Sequence, residues 1–362
     1  MAEYLSSINS ALSQLFADDL YKQWNRTAVL LGALAARGDV GDGKGKNVAF
    51  DTEFTGNQAL TVAEGSDVAT TEYASDVNVP AILPWAHYRS AFQISETEFN
   101  AAMSSGGTPA ALQQLFGNRV LGAGAQISRK IEQDLMTGTG VDGSGNPTLV
   151  GIFGGALVTS GSYAGISTAS YPEWASTVLA NGGVARSLTA DLLAQADAQI
   201  FIASSEPWDI VMTDANITRK YEGLFTNATF PMTRMNDGAS RPQYGLGNAI
   251  DGQSQPVGLF YKGQPVLRNA VSPTAKLVLL NSRHINIKYL PHIQAAPEGT
   301  YSTMMQGVGS NAAGNIQATK IPFRIAMLAK TGESYKVMVT VTIQACVTRP
   351  NSMAIIQDIS EV

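Results

Sequence analysis

A chain of 362 residues that is 44% hydrophobic can bury a sizeable core, as two domains or as one fold with a large insertion. Only 15% of it is charged, against about 25% in an ordinary soluble domain, so much of its surface must be uncharged or hidden in an assembly. Twenty-four basic against 29 acidic residues, net −5, exclude a basic reader of nucleic acid, and the lone Cys346 excludes a disulfide framework or a thiolate metal cage.

The start, Met1-Ala2-Glu3-Tyr4, has no basic n-region. The apolar stretch Ala28–Ala36 is about half of what a membrane helix needs. The expectation is a soluble chain from a reducing compartment, with no membrane partner. Leu5, Ile8, Leu12, Leu15, Phe16 and Leu20 recur at three- and four-residue steps and predict an amphipathic helix. After Ala28–Ala36, Gly41-Asp42-Gly43-Lys44-Gly45-Lys46 reads as a flexible hinge by composition. Apolar and polar residues alternate over Asn47–Phe54 and again over Tyr73–Val79, predicting a long β-hairpin. It holds no apolar block able to fold on itself. A two-stranded ribbon is marginal in water, so the hairpin is expected to lean on another chain.

Thr108-Pro109 predicts a helix start, with Thr as N-cap and Pro at the first helical position. Leu112, Leu115, Phe116, Val120, Ile127, Ile131 and Leu135 then hold one face until Gly138, giving a helix roughly 42 Å long. Gly117, Gly122 and Gly124 within it are expected to mark close backbone contact. Residues 140–186 are rich in Gly, Ser and Thr and give no clear period. Thr189 predicts a capped helix through Leu192, Leu193, Ala196 and Ile200; Trp208–Met212 reads as a buried strand and Asp214–Leu224 as a helix. Strands follow at Val257–Tyr261, Pro265–Arg268, Lys276–Leu280, Ile285–Leu290, Ile321–Leu328 and Lys336–Val347.

Chemistry is hard to find. The three histidines, His87, His284 and His292, have no paired metal-ligand spacing, and His87 reads as a strand residue. Gly38–Lys44 nears the phosphate-loop pattern, but Gly45 stands where a magnesium-binding Ser or Thr belongs and a strand follows where a helix must open. Asp142-Gly-Ser-Gly-Asn146 is a glycine turn rather than a calcium loop, since the distal Glu is missing. There is no GxSxG elbow, and Cys346 lies in a strand-like run where burial keeps a thiol inert. No catalytic constellation and no cofactor are expected.

A helical N-terminal segment, an extended hairpin, a long helix, a mixed α/β insertion and closing strands follow one another here. That order resembles the major capsid proteins of tailed double-stranded-DNA phages, the Hong-Kong-97-type shell fold. Asp209-Ile-Val-Met-Thr-Asp-Ala-Asn-Ile-Thr-Arg-Lys-Tyr-Glu-Gly-Leu224 looks like that family's strand running into a short axial-domain helix. Gly263-Gln-Pro-Val-Leu267 and Ala275-Lys-Leu-Val-Leu-Leu-Asn-Ser-Arg-His-Ile-Asn-Ile-Lys-Tyr289 are similar to its G-x-P-V strand and return strand, with Asn281-Ser282-Arg283 where the family often carries Gly-Asp.

The resemblance implies an α+β fold. Residues 1–46 would form an N-terminal arm and 47–92 an extended loop. Residues 93–140 with 283–348 would form a peripheral domain around a spine helix at 109–137, 141–282 an axial domain and 349–362 a C-terminal tail. It implies a non-enzymatic structural protein that self-assembles into the icosahedral shell of a virion, built in the host cytoplasm. The implied partners are copies of itself in hexamers and pentamers, separate scaffold, portal and decoration proteins, and packaged double-stranded DNA touched non-specifically. The chain starts at Met1 with the hairpin near Asn47, so assembly is expected to use a separate scaffold or none. No lysine lies between Asn47 and Tyr88, so no isopeptide crosslink through that loop is expected. Two alternatives stay open: an encapsulin-like nanocompartment shell, and a glycine-rich hydrolase with an unrecognised site.

Charge is segregated along the chain. Asn47–Tyr88 holds Asp51, Glu53, Glu64, Asp67, Glu72 and Asp76 and no Lys or Arg. Lys262–Arg349 holds ten basic residues, among them Lys276, Arg283, Lys288, Lys320, Arg324, Lys330 and Lys336, against Glu298 and Glu333. Either both blocks are solvated faces, or the acidic arm lies across a neighbour's basic peripheral strands and its charge guides register.

Overall fold

The computed structural model describes residues 29–37, 40–55, 77–98, 100, 109–226, 259–290, 301–305, 323–327 and 334–361. The helix expected over Leu5–Leu20 and the N-cap Thr108 lie outside the described residues. The first elements are α1 (Val29–Arg37), β1 (Val40–Asp42), β2 (Asn47–Thr55), β3 (Val77–Pro84), β4 (Ala86–Ser95) and the long α2 (Pro109–Thr137). Short strands follow: β5 (Thr139–Val141), β6 (Pro147–Val150), β7 (Ser162–Tyr163), β8 (Ile166–Ser167) and β9 (Thr177–Leu179). Next come α3 (Ala190–Ser204), β10 (Ile210–Thr213), α4 (Ala215–Thr226), β11 (Leu259–Tyr261), β12 (Gln264–Arg268) and β13 (Leu277–Leu280). The chain closes with β14 (Ile285–Tyr289), β15 (Tyr301–Met305), β16 (Phe323–Met327), β17 (Ser334–Val347) and β18 (Ala354–Ile356).

One six-stranded sheet is organised by β17, whose 14 residues make it long enough to serve three partners. β4 pairs antiparallel with it from Ser95↔Ser334 to Ala86↔Ile343. Its other edge is shared, by β16 over Val337–Thr340 and by β14 over Ile343–Val347. Strand alternation sends Val337, Val339, Val341 and Ile343 to one side, where they are buried in one core with Val120, Ala123, Ile127, Ile131 and Leu135 of α2. Across that contact Tyr88 donates from its hydroxyl to Asp134 Oδ2 at 2.8 Å. Burial, and then the nearby Asp134 charge, push this phenol well above its ordinary value.

α2 stops where close packing forbids a side chain. A Cβ on Gly138 would sit 2.3 Å from the Leu149 carbonyl oxygen and 2.5 Å from that of Asp134. The close contact expected at Gly122 is not there: it is exposed, with nothing within 4 Å of where its Cβ would be.

The second six-stranded sheet has the order β11–β12–β10–β13–β18–β9. Its alternation serves two layers. Val211, Leu277, Leu279, Ala354 and Ile356 pack with Leu192, Leu193, Ala196 and Ile200 of α3 and with Ile217 and Tyr221 of α4. Ile210, Met212, Val278, Leu280 and Ile355 join the core shared with the first sheet. Both helices are capped from their own sequence. Thr189 Oγ1 accepts from the Leu192 N–H at 3.2 Å, and Asp214 Oδ1 from the Ile217 N–H at 2.9 Å.

Four expectations change. Residues 40–46 are not a hinge: β1 pairs parallel with β14, Trp85 packs against Gly43, and Trp85 Nε1 donates to the Gly45 carbonyl at 3.0 Å. The second hairpin strand, expected to end at Val79, continues to Pro84, and Tyr73–Asp76 lie outside the described residues. β4 runs through the 92/93 boundary as one strand of the first sheet. Within the C-terminal 349–362, β18 is an inner strand of the second sheet.

Candidate assembly surface

The β2–β3 hairpin has two unlike faces. Val48, Phe50, Phe54, Val79, Ala81 and Leu83 turn toward the protein's own core. Phe54 stacks on Tyr171, ring centroids 4.4 Å apart, and meets Trp174 edge-on at 5.8 Å. Such aromatic pairs are worth about 0.5–1.5 kcal/mol beyond area burial. The Ile82 N–H donates to the Ala164 carbonyl at 2.8 Å. The root of the hairpin therefore leans on its own chain, which corrects the expectation that another chain must support it. The opposite face carries Ala49, Asp51, Glu53, Asn78, Pro80 and Ile82, all exposed. Glu64, Asp67, Glu72 and Asp76 lie outside the described residues.

The first sheet also has a second face, away from α2. Pairing register decides which cations share it. Arg89 of β4 and Arg324 of β16 flank Thr340 from opposite sides, which puts their Cα atoms roughly 9–10 Å apart. Lys336 lies on the same face of β17, opposite Gln93, and Lys288 lies opposite Gln344. His87, opposite Thr342, belongs there too, with Nδ1 3.0 Å from Thr342 Oγ1. No carboxylate occupies a position on this face of β4, β14, β16 or β17. The Nε of Arg324 is buried without a hydrogen-bond partner among the described residues.

The expected basic group is thus divided. Lys288, Arg324 and Lys336 come together. Lys276 sits at the start of β13 in the other sheet, and exposed Arg283 lies in the turn leading to β14. Lys320 and Lys330 lie outside the described residues. Arg89 was missed, although the alternation of Ala86–Ser95 carries the signal: His87 and Arg89 fall on the face opposite Tyr88.

Two carboxylates hold segments together. Glu132, fully buried on α2, accepts from the Leu30 N–H at 2.9 Å, the Leu31 N–H at 3.1 Å and Asn269 Nδ2 at 2.6 Å. It caps α1 from another helix, and it ties both to the loop after β12. Burial pushes its carboxyl up, while the N–H bonds from α1 and the Asn269 amide pull it partly back. Glu206, after α3, accepts from His284 Nε2 at 2.6 Å and Asn281 Nδ2 at 3.1 Å through Oε2, and from Arg349 Nη1 through Oε1. Burial pushes this carboxyl up, but His284 and Arg349 outweigh it and the net direction is down.

The other candidates resolve as local structure. Asp142 Oδ1 accepts from the N–H groups of Ser144 and Asn146, each at 2.8 Å, and Oδ2 from Asn146 Nδ2 at 2.9 Å. Its acceptor sites serve the turn. Cys346 is buried, and burial pushes its thiol up to about 12. Among the described residues no group of three or more His, Cys, Asp or Glu is placed to hold a metal, and no helix is long and apolar enough to cross a membrane.

Comparison with known proteins identifies this architecture. Residues 43–360 match the model of the SU10 major capsid protein family. Among solved structures, the capsid asymmetric unit of cyanophage A-1(L) superposes with a TM-score of 0.70 at 20% identity, covering 91% of this chain and 92% of that one. The capsid of a native GTA particle gives 0.51 at 10% identity, with 91% of each chain covered. The holo-SrpI encapsulin of Synechococcus elongatus PCC 7942 also gives 0.51, at 9% identity, covering 89% of this chain and 85% of that one. No curated protein sequence matches the chain. The fold is the Hong-Kong-97-type shell fold, and the encapsulin alternative is the weaker one. With the family model spanning nearly the whole chain, the protein belongs to the SU10 major capsid protein family and its function is that of a capsid shell subunit.

Proposed function

We propose that copies of this chain close an icosahedral shell around double-stranded DNA by laying the acidic outer face of one copy's β2–β3 arm across the basic sheet face of the next. The carrying observation is the pairing of two outward faces of opposite charge. Asp51 and Glu53 point away from the hairpin's own core, Arg89, Arg324 and Lys336 point away from α2, and among the described residues no ion pair joins the two sets. Glu64, Asp67, Glu72 and Asp76 extend the same charge along the sequence of the arm. Exposed apolar groups support a surface completed by neighbours: Phe201 and Ile202 at the end of α3 are 63% and 82% exposed. In this reading the protein does no chemistry, and hexamers and pentamers are its working units. Assembly takes place in the host cytoplasm, and scaffold, portal and decoration proteins and DNA meet the shell's surfaces.

Exposed charge pairs are worth about 0–1 kcal/mol each, but an arm contact recurs at every subunit of a shell. Screening reaches about 8 Å at physiological salt and about 3 Å at 1 M, so assembly followed by light scattering should slow as salt rises. Asp51→Lys with Glu53→Lys should slow it further at low salt, and Arg89→Glu with Lys336→Glu in the partner copy should restore it. If the reversed arm assembles like the parent at low salt, the basic face does not receive it. If the reversed sheet face alone forms normal shells that protect less DNA from nuclease, that face serves DNA instead. Particles that enclose a cargo protein and no DNA would favour the nanocompartment.

A further inference from the structure

Among the described residues the chain passes directly from one six-stranded sheet to the other at two places. It leaves β13 for β14 through Asn281–His284, and returns from β17 to β18 through Thr348–Met353. Both passages meet one short segment, Ser204–Asp209, which runs from the last residue of α3 to the start of β10. On the outward passage Asp209 accepts from the Ser282 N–H at 3.0 Å and from its hydroxyl at 2.9 Å, while Glu206 holds Asn281 and His284. On the return passage Arg349 reaches Glu206 through one nitrogen and the Ser204 carbonyl through another at 2.9 Å. The passages also hold each other, since the Thr348 N–H donates to the His284 carbonyl at 2.8 Å.

We propose that the Glu206 cluster is a releasable lock on the joint between the two sheets, opening without unpacking the apolar core they share. Three observations separate lock from core. Glu206, His284 and Arg349 keep side-chain exposures of 32%, 23% and 38%, so water can replace each partner at little cost when the contacts part. The apolar contact between the sheets lies elsewhere, in Ile210, Met212, Val278, Leu280 and Ile355, none of which touches these charges through a hydrogen bond. The groups facing Glu206 are all donors, namely His284 and Asn281 from one passage and Arg349 from the other, so loss of its negative charge weakens all three contacts together. With the lock open, the sheets can turn relative to each other about their apolar contact.

The test is hydrogen exchange on the full chain, parent against Glu206→Gln. Protection should fall about tenfold, the factor that 1.4 kcal/mol gives, at the amides of His284, Thr348 and Ser352. Amides in the middle of β17 and α2, such as Val341 and Ile131, should keep the parent's protection. Unchanged protection at the passages overturns the lock. Equal loss at Val341 and Ile131 also overturns it, because the cluster is then part of global stability. Should Glu206→Gln fail to fold, Arg349→Gln removes one arm of the lock and must give the same local pattern, at smaller size.

Discussion

Glu132 and Glu206 each bind three separate parts of the chain with a single carboxylate, in opposite surroundings. Glu132 is fully buried, faces only backbone and amide N–H groups, and has no cation among its hydrogen-bond partners. Glu206 is half-exposed and faces an imidazole and a guanidinium. A buried carboxylate with no compensating positive charge is tolerated because the first N–H groups of a helix concentrate partial positive charge there. Removing it strands several donors in a dry place, whereas removing the half-exposed one returns its partners to water. The first joint is therefore obligatory and the second adjustable.

The largest expected effect is at the first joint. Glu132→Ala leaves the Leu30 and Leu31 N–H groups without that acceptor and the Asn269 amide with only the weak Met212 sulfur, and should cost about 3–5 kcal/mol in denaturant unfolding of unassembled chain. A loss under about 1 kcal/mol would show that α1 is held by its leucines alone. Phe54→Ala comes next. It removes the stack on Tyr171 and the edge contact with Trp174, and should cost about 1–3 kcal/mol and free the hairpin root to proteolysis. Glu206→Gln should act locally, at the passages, and leave denaturant unfolding of the unassembled chain within about 0.5 kcal/mol of the parent at neutral pH.

pH sharpens the contrast, because the two groups shift in opposite directions. Glu206 is held below its ordinary value of 4.5, so its stabilisation is complete above that value and is lost as pH falls through the lowered one. The parent's advantage over Glu206→Gln should shrink on acidification below 4.5. Glu132 is raised, so between 4.5 and its raised value the folded chain binds more protons than the unfolded one and stability falls as pH rises. Glu132→Gln should flatten that part of the profile and leave the acid limb alone; the reverse assignment would undo the comparison. One effect lies away from both. Gly122→Ala, on an exposed turn of α2 with open space around it, should raise stability by about 0.5–1 kcal/mol.

Elements whose cause is local could be read from sequence. The step pattern from Val120 to Leu135 and the stop at Gly138 located α2, and the oxygens of Thr189 and Asp214 announced two helix starts. The second hairpin strand was ended too early because Pro80 and Pro84 look like breakers. A two-stranded ribbon has only edge strands, and there a missing N–H can face outward without loss. β4 and β18 take their places from β17 and β13, distant in sequence, so local alternation such as that of Ala86–Ser95 can mark a strand but not its partner. The cationic face was legible only in part, for the same reason. Proximity along the chain gathered Lys276, Arg283, Lys288, Arg324 and Lys336, but pairing register sorts them. It replaces the first two with Arg89, whose strand lies some two hundred and fifty residues from its partner strand.

The burial of α1 has a mechanical consequence. Leu30, Leu31, Ala33 and Leu34 are inaccessible to water, and their helix is bolted at its first turn to α2, the longest helix among the described residues. Tension applied to the 28 residues before it would not be absorbed by a slack tether. It would arrive at Glu132, in the last two turns of a stiff rod backed by a sheet, and spread from there through the whole subunit. Whatever those residues grip would then be coupled to the body of the shell as a strut is coupled to a frame.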